Sequence, residues 1–358
     1  MKILTVIGAR PQFIKAAALS RVIEADARIE EIFIHTGQHY DANMSEVFFE
    51  EMQIKKPKYN LNIRSNFHGE MTGTMMTDIE KIALQESPDW ILVYGDTNST
   101  LAGALVASKL GVKLAHVEAG LRSFNNYMPE EINRIVTDRL SNLLFCPTDN
   151  AVSNLLKEGY ANLADKKIVN VGDIMLDASM YYSNFEIDFP HNLSNFVLAT
   201  IHRPVNTDNP KNLLEILKAL DNIGSNNGKV LFPVHPRTRS KIEILDKDYI
   251  SSFSNILFVT PLSYFEIIYA LKNCSMVITD SGGLQKEAYF FKKPCLTLRE
   301  ETEWVELVEH GYNILCSIDA IAIAEKANKI KSSSIEIKDE LYGSGRTAEL
   351  ILENILAF

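Results

Sequence analysis

Short runs rich in Val, Ile and Leu alternate along the chain with longer segments whose apolar residues recur at helical spacing. Ile3–Ile7, Ile32–His35, Trp90–Tyr94, Lys113–Val117 and Leu143–Cys146 form a first series of predicted strands, and helices are expected between them. A second series runs through Phe196–Thr200, Val230–Val234, Ile256–Val259, Met276–Thr279 and Pro294–Leu298. Strands that alternate with helices predict βα units on parallel sheets. The expected fold is therefore α/β, with two Rossmann-type, doubly wound parallel-sheet domains facing a central cleft. The first is expected over residues 1–172 and the second over 173–345, with the join between Val171 and Pro190. After the Gly343-Ser344-Gly345 break, Arg346–Ala357 reads as an amphipathic helix, and residues 346–358 are expected to pack back on the first domain.

Composition narrows this picture. A chain of 358 residues exceeds the size at which single cores stop growing, in keeping with two domains. A formal net charge of -10 argues against wholesale nucleic-acid binding, which needs a basic surface, so an anionic ligand requires a local cationic site. Cys146, Cys274, Cys295 and Cys316 show no CxxC spacing and lie in or beside apolar runs, as reduced buried thiols do. The opening Met1–Gly8 reads as a first strand rather than a signal peptide. No stretch approaches the roughly 20 apolar residues of a membrane span. A cytoplasmic protein with no membrane partner is expected.

The polar residues that could carry chemistry fall just after the predicted strands, where open α/β sheets bind ligands. Met276–Ala288 reads as strand, turn and helix, with Ser281, Gly282 and Gly283 in the turn. Glycines admit a ligand to the backbone, and free N–H groups at a helix start attract phosphate oxygens. Glu287, one turn on, is placed to accept from ribose hydroxyls. Taken alone, the turn is explained equally well by close packing. Gly8-Ala9-Arg10-Pro11 ends the first strand and opens a helix, setting Arg10 where a helix dipole already favours an anion. No GxGxxG spacing follows Gly8, which disfavours a nicotinamide cofactor.

Asp96 follows one strand and Glu118 the next; Asp96 also suits an N-cap, while a carboxylate directly after an apolar strand points to a ligand site. Pro129-Glu130-Glu131 begins a helix, with Asn133 and Arg134 a turn later, and one of the two acids is expected only to stabilise the helix start. His202-Arg203 and His235-Pro236-Arg237 set two imidazoles and two guanidiniums at strand ends, a local basic wall in an acidic protein. There is no HExxH or paired CxxC, and His39 near Asp41 is too isolated to suggest a metal, so no metal is expected. No GxSxG elbow or Walker A loop is present.

Together these pieces resemble the non-hydrolysing UDP-N-acetylglucosamine 2-epimerase family over essentially the whole chain. The resemblance rests on Gly8–Pro11, Gln38-His39, Gly95-Asp96-Thr97, His116–Arg122, Pro129-Glu130-Glu131, His202-Arg203, Pro233-Val234-His235 and Thr279–Gly283, eight weak motifs that become specific in this order. It implies a GT-B-like pair of domains with UDP held mainly by the second. It further implies UDP contacts at Arg10, Ser281, Gly282, Gly283, Glu287 and His235, and a catalytic set of Asp96, Glu118, Glu130 and His202. Lys15 and Arg134 become supporting cations among the substrate-binding residues. The family reaction needs no cofactor: a carboxylate removes the C2 proton while UDP leaves C1, and UDP re-adds after protonation of the other face. A homodimer, a UDP-sugar substrate and a role in bacterial surface-polysaccharide synthesis are implied as well.

The chain departs from the family pattern at Gln12, Val205 and Trp304, where Glu, Glu and Arg are usual. These changes resemble the branch that acts on UDP-2,3-diacetamido-2,3-dideoxy-glucuronate. Two lost acids suit a substrate bearing its own carboxylate, while the lost arginine pulls the other way, and UDP-N-acetylglucosamine stays a competing substrate. Val205 also removes an acid from the region where some bacterial members bind a second, activating substrate molecule. A GT-B glycosyltransferase and a hydrolysing 2-epimerase share the expected fold and remain alternatives.

Overall fold

The computed structural model describes residues 1–38, 49, 52–191, 193–245, 250–332, 337 and 340–358. His39 and Asp41 lie outside the described residues. The chain divides into two compact units, Met1–Ala178 with Glu340–Phe358, and Ser179–Asp339.

In the first unit the described strands are β1 (Lys2–Ile7), β2 (Glu30–His35), β3 (Tyr59–Asn60), β4 (Trp90–Tyr94), β5 (Lys113–Val117), β6 (Leu143–Cys146) and β7 (Lys167–Asn170), in the spatial order β3-β2-β1-β4-β5-β6-β7. Every pairing is parallel. Parallel sheets need both faces covered, which explains why β4, read as an unbroken apolar run, is buried at every position. Helices Arg10–Glu24 and Thr347–Ala357 pack against each other, and Trp90 meets Phe358 edge-on at 5.5 Å.

The second unit holds β8 (Val197–Thr200), β9 (Val230–Pro233), β10 (Ile256–Val259), β11 (Met276–Thr279), β12 (Cys295–Thr297) and β13 (Asn313–Leu315), ordered β10-β9-β8-β11-β12-β13 and again all parallel. Its largest core gathers Leu213, Leu217, Leu220, Phe232, Ile278 and Ile323 around the inner strands. The strand order reverses between β1 and β4 in one unit and between β8 and β11 in the other. Such reversal points are where connections diverge to opposite faces and a crevice opens at the carboxyl edge. Arg10 and Asp96 follow the first such pair of strands, and His202 and Ser281 the second.

Candidate functional site

In the first unit, four turns bring the predicted residues together in two groups. Lys15, buried on the helix Arg10–Glu24, makes an ion pair with Glu118 at the end of β5. Glu118 holds a left-handed backbone, φ 75°, which a side chain with a Cβ adopts only at a cost of roughly 1–2 kcal/mol. Its N–H and that of Ala119 both donate to the Phe145 carbonyl, at 3.1 and 3.0 Å, which keeps the turn in that conformation. Gly95 lies alongside: a Cβ built there would sit 3.3 Å from Glu118 Oε2 and 3.6 Å from Lys15 Nζ. The backbone at position 95, φ +63°, favours glycine.

The second group centres on Arg134, which donates to Asp96 Oδ2 at 2.5 Å and to Glu131 Oε2 at 2.9 Å. Burial alone weakens a guanidinium's hold on its proton, but Asp96 and then Glu131 outweigh it and raise the Arg134 pKa. Asn133 Nδ2 donates to the Asp96 carbonyl at 2.8 Å, so one helical turn fixes both ends of Asp96. Of the two acids at the helix start, Glu131 is the structural one. It is buried, and it accepts from Ser123 N–H, Ser123 Oγ and Phe124 N–H at 2.8, 2.9 and 3.0 Å. These bonds and Arg134 lower its pKa against the opposing effect of burial. Glu130 is exposed, and its side chain has no ion pair or hydrogen bond among the described residues. Arg10 is exposed at the first position of its helix.

Gln12 has a different place from the one its chemistry suggested. Its side chain is 2% exposed, with Oε1 accepting from Gly8 and Ala9 N–H at 2.8 and 3.0 Å. Its Nε2 shares two protons among the Tyr94 carbonyl, Thr97 Oγ1 and Thr100 Oγ1 at 2.7 to 3.0 Å. The missing carboxylate at position 12, expected from the sequence to suit an anionic sugar, therefore belongs to a brace between two turns.

In the second unit Asp280 organises the site, a role the sequence reading missed because its partners lie more than 70 residues away. Fully buried, its carboxylate accepts from the His202 and Arg203 backbone N–H groups and from Asn206 Nδ2, at 3.1, 2.9 and 2.9 Å. His202 Nδ1 stands 3.3 Å from Asp280 Oδ1 and its ring 6.3 Å from that of His235. Both histidines are exposed, and His235 caps the next helix by accepting the Arg237 N–H. Val205 is exposed between Arg203 and the buried Asn206.

Ser281 is the N-cap of the helix Gly282–Phe290, yet its side chain makes no cap hydrogen bond. A Cβ at Gly282 would overlap the Glu303 carboxylate, whereas one at Gly283 would meet nothing within 4 Å. Gln285 supports the turn from inside, donating to the Ser281 carbonyl at 3.0 Å while accepting from Thr302 and Asn313. Trp304, in place of the arginine, is buried and donates its indole N–H to the Gly282 carbonyl at 2.9 Å. The buried Lys286 ammonium lies 4.1 Å from the centre of that indole ring, so a cation persists beside the helix. Glu287 is half-buried and hydrogen-bonds Tyr264, whose pKa burial, and then the Glu287 charge, push well up. No group of three or more metal-ligating side chains occurs among the described residues, nor does any helix there suffice to cross a membrane.

The residues thus assemble as a carboxylate and cation cluster in one unit and an imidazole and glycine-turn cluster in the other. A family model described as UDP-N-acetylglucosamine 2-epimerase matches residues 21–356. A UDP-2,3-diacetamido-2,3-dideoxy-D-glucuronate 2-epimerase of Pseudomonas aeruginosa is 51% identical, over 99% of each chain. A UDP-N-acetylglucosamine 2-epimerase of Methanococcus maripaludis is 42% identical, over 98% of this chain and 97% of the relative. Among solved structures, the Methanocaldococcus jannaschii UDP-GlcNAc 2-epimerase in complex with UDP-GlcNAc and UDP matches with a TM-score of 0.86 at 40% identity, covering 100% of both chains.

Proposed function

The chain is an epimerase belonging to the UDP-N-acetylglucosamine 2-epimerase family, and from that premise we propose that it inverts C2 of UDP-2,3-diacetamido-2,3-dideoxy-glucuronate in preference to UDP-N-acetylglucosamine. The observation that carries the preference is the 51% identity to the diacetamido-uronate enzyme, against 49% for a UDP-N-acetylglucosamine 2-epimerase homolog and 42% and 40% for two UDP-N-acetylglucosamine 2-epimerases.

The C2 hydrogen of a pyranose is not next to a carbonyl, so its removal alone leaves an unstabilised carbanion. Elimination avoids this. A carboxylate takes the C2 proton, the electron pair forms the C1–C2 double bond, and the C1–O bond breaks with its pair departing on UDP. Protonation of C2 from the opposite face and return of the UDP oxygen to C1 complete the inversion, with every atom recovered. Asp96 and Glu118 are the proposed proton carriers, each already paired with a cation that steadies its charge. Glu130 orients the sugar. His202 serves the leaving phosphate, while Arg10, His235, Ser281, Gly282, Gly283 and Glu287 hold UDP. The N-terminal backbone of the helix Gly282–Phe290 meets the departing charge without reorganising.

Proton NMR of both UDP sugars in deuterated water tests the reading. An epimer mixture with deuterium at C2 is expected, formed faster from the diacetamido uronate. Faster turnover of UDP-N-acetylglucosamine reverses the substrate choice. Free sugar with UDP indicates a hydrolase, and no reaction without an added acceptor indicates a glycosyltransferase.

A further inference from the structure

Behind the turns that carry Asp96 and Glu118 runs a row of charged side chains that the proposed reaction does not touch. Arg122, its side chain 1% exposed, forks onto Glu158 at 2.7 and 2.8 Å and donates to Asp138 Oδ2 at 2.7 Å. The Gly120 N–H donates to the same Asp138 oxygen at 3.1 Å. The other oxygen, Oδ1, lies 2.7 Å from His116 Nδ1, and His116 Nε2 lies 2.8 Å from the Gly95 carbonyl oxygen. His116 and Asp138 are both fully buried.

The proton count follows from these partners. A carbonyl oxygen only accepts, so His116 Nε2 carries a proton and donates it to Gly95. Between Nδ1 and Asp138 Oδ1 a second proton must lie, because a bare ring nitrogen facing a carboxylate at 2.7 Å leaves two lone pairs opposed. Arg122 and the Gly120 N–H already favour the carboxylate form of Asp138, which places that proton on the ring. The charges then balance: Arg122 and His116 are positive, Glu158 and Asp138 negative. Burial pushes the Asp138 pKa upward, but the His116 hydrogen bond and then Arg122 outweigh it, so the pKa is lowered. Cys146 and Tyr160 also face Asp138 and Arg122, and burial pushes both upward, so they remain neutral. Lys166 and Arg139 adjoin on the same side, Lys166 lowered by burial.

We propose that His116 is held as an imidazolium between Asp138 and the Gly95 carbonyl, and that this charged strut is a positioning element for Asp96 and Glu118. One end of the strut fixes the residue before Asp96. The other, through Asp138 and the Gly120 N–H, fixes the far side of the turn in which Glu118 keeps its left-handed backbone. A single buried pair thereby sets the spacing of two turns that no backbone hydrogen bond beyond Gly95 N–H to Val117 O joins among the described residues. The functional half of this proposal rests on Asp96 and Glu118 being the proton carriers.

The test uses the full chain labelled with nitrogen-15 histidine, the His116 signals being assigned by their loss in His116→Gln. Both ring nitrogens are expected to carry protons at neutral pH. An unprotonated ring nitrogen at neutral pH overturns the proposal. In His116→Gln, which keeps a donor but not the charge, kcat for C2 exchange should fall about a hundredfold, the scale of a small misplacement of reacting groups. UDP affinity should stay within about threefold, so kcat and binding separate. Unchanged kcat overturns the positioning role. Asp138→Asn provides an independent variant: His116 should lose its second proton at neutral pH, and kcat should fall. Retention of both protons and of kcat in Asp138→Asn has the same overturning force. Absence of C2 exchange by the unaltered enzyme on either UDP sugar sinks the functional reading instead, and leaves the nitrogen-15 result to stand alone.

Discussion

Glu31 is 6% exposed on β2, where Thr5 and Ser20 hydroxyls each donate to it at 2.6 Å. Burial, only partly offset by those two bonds, raises its pKa from 4.5 to about 7. The folded chain thus keeps a proton that the unfolded chain releases near 4.5. The contribution is harmless below that value, turns unfavourable as pH rises toward 7, and costs roughly 3 kcal/mol above it. Glu31→Gln keeps acceptor and donor groups for the two hydroxyls while removing the ionisation. Thermal melts should show it more stable than the parent at about pH 8 and nearly equal at about pH 5. Equal differences at both pH values would assign the effect to packing instead.

At the level of elements, the βα turn is the unit of function, and its legibility in the sequence was uneven. The apolar runs of β4, β5 and β11 are buried throughout or nearly so, which is why they stand out. β3, β7 and β13 lie at sheet edges with two to four residues, too short for a pattern to emerge. In the site, residue types at strand ends could be read, but their partners could not. Asp138 and Asp280 look like ordinary acids until the fold brings His116 and His202 to them, 22 and 78 residues away. Gln12 and Trp304 looked like changes of charge, and both proved to brace backbone. The glycine turn offers a test at this scale. Ala fits at Gly283 without a clash and gains helix propensity, so Gly283→Ala should not lower the melting temperature. If UDP lies against that backbone, titration calorimetry should show its affinity reduced about tenfold or more, since the added methyl meets only the ligand. Full affinity would remove Gly283 from the binding set.

Across the whole molecule, two parallel sheets repeat one architecture with unrelated sequences, and the proposed labour divides between them. The proposed proton carriers belong to Met1–Ala178, while the residues proposed to hold UDP, Arg10 apart, belong to Ser179–Asp339. The two sheets were readable because each strand series announces its own. A net charge of -10 was no guide to the local chemistry, since Arg10, Lys15 and Arg134 gather in one unit and Arg203, Arg237 and Lys286 in the other. Such a fold has stability to trade, and the backbone of Glu118 shows where it is traded. A left-handed φ and a part-buried ion pair with Lys15 both work against folding, the first by steric strain and the second by desolvation. The paired change Lys15→Met with Glu118→Gly removes both at once. It should be about 1–2 kcal/mol more stable than the parent in denaturant titrations and exchange no deuterium at C2. Selection for a heat-resistant variant of this enzyme would then favour its inactivation, so screens for robustness here must read turnover along with survival of the fold.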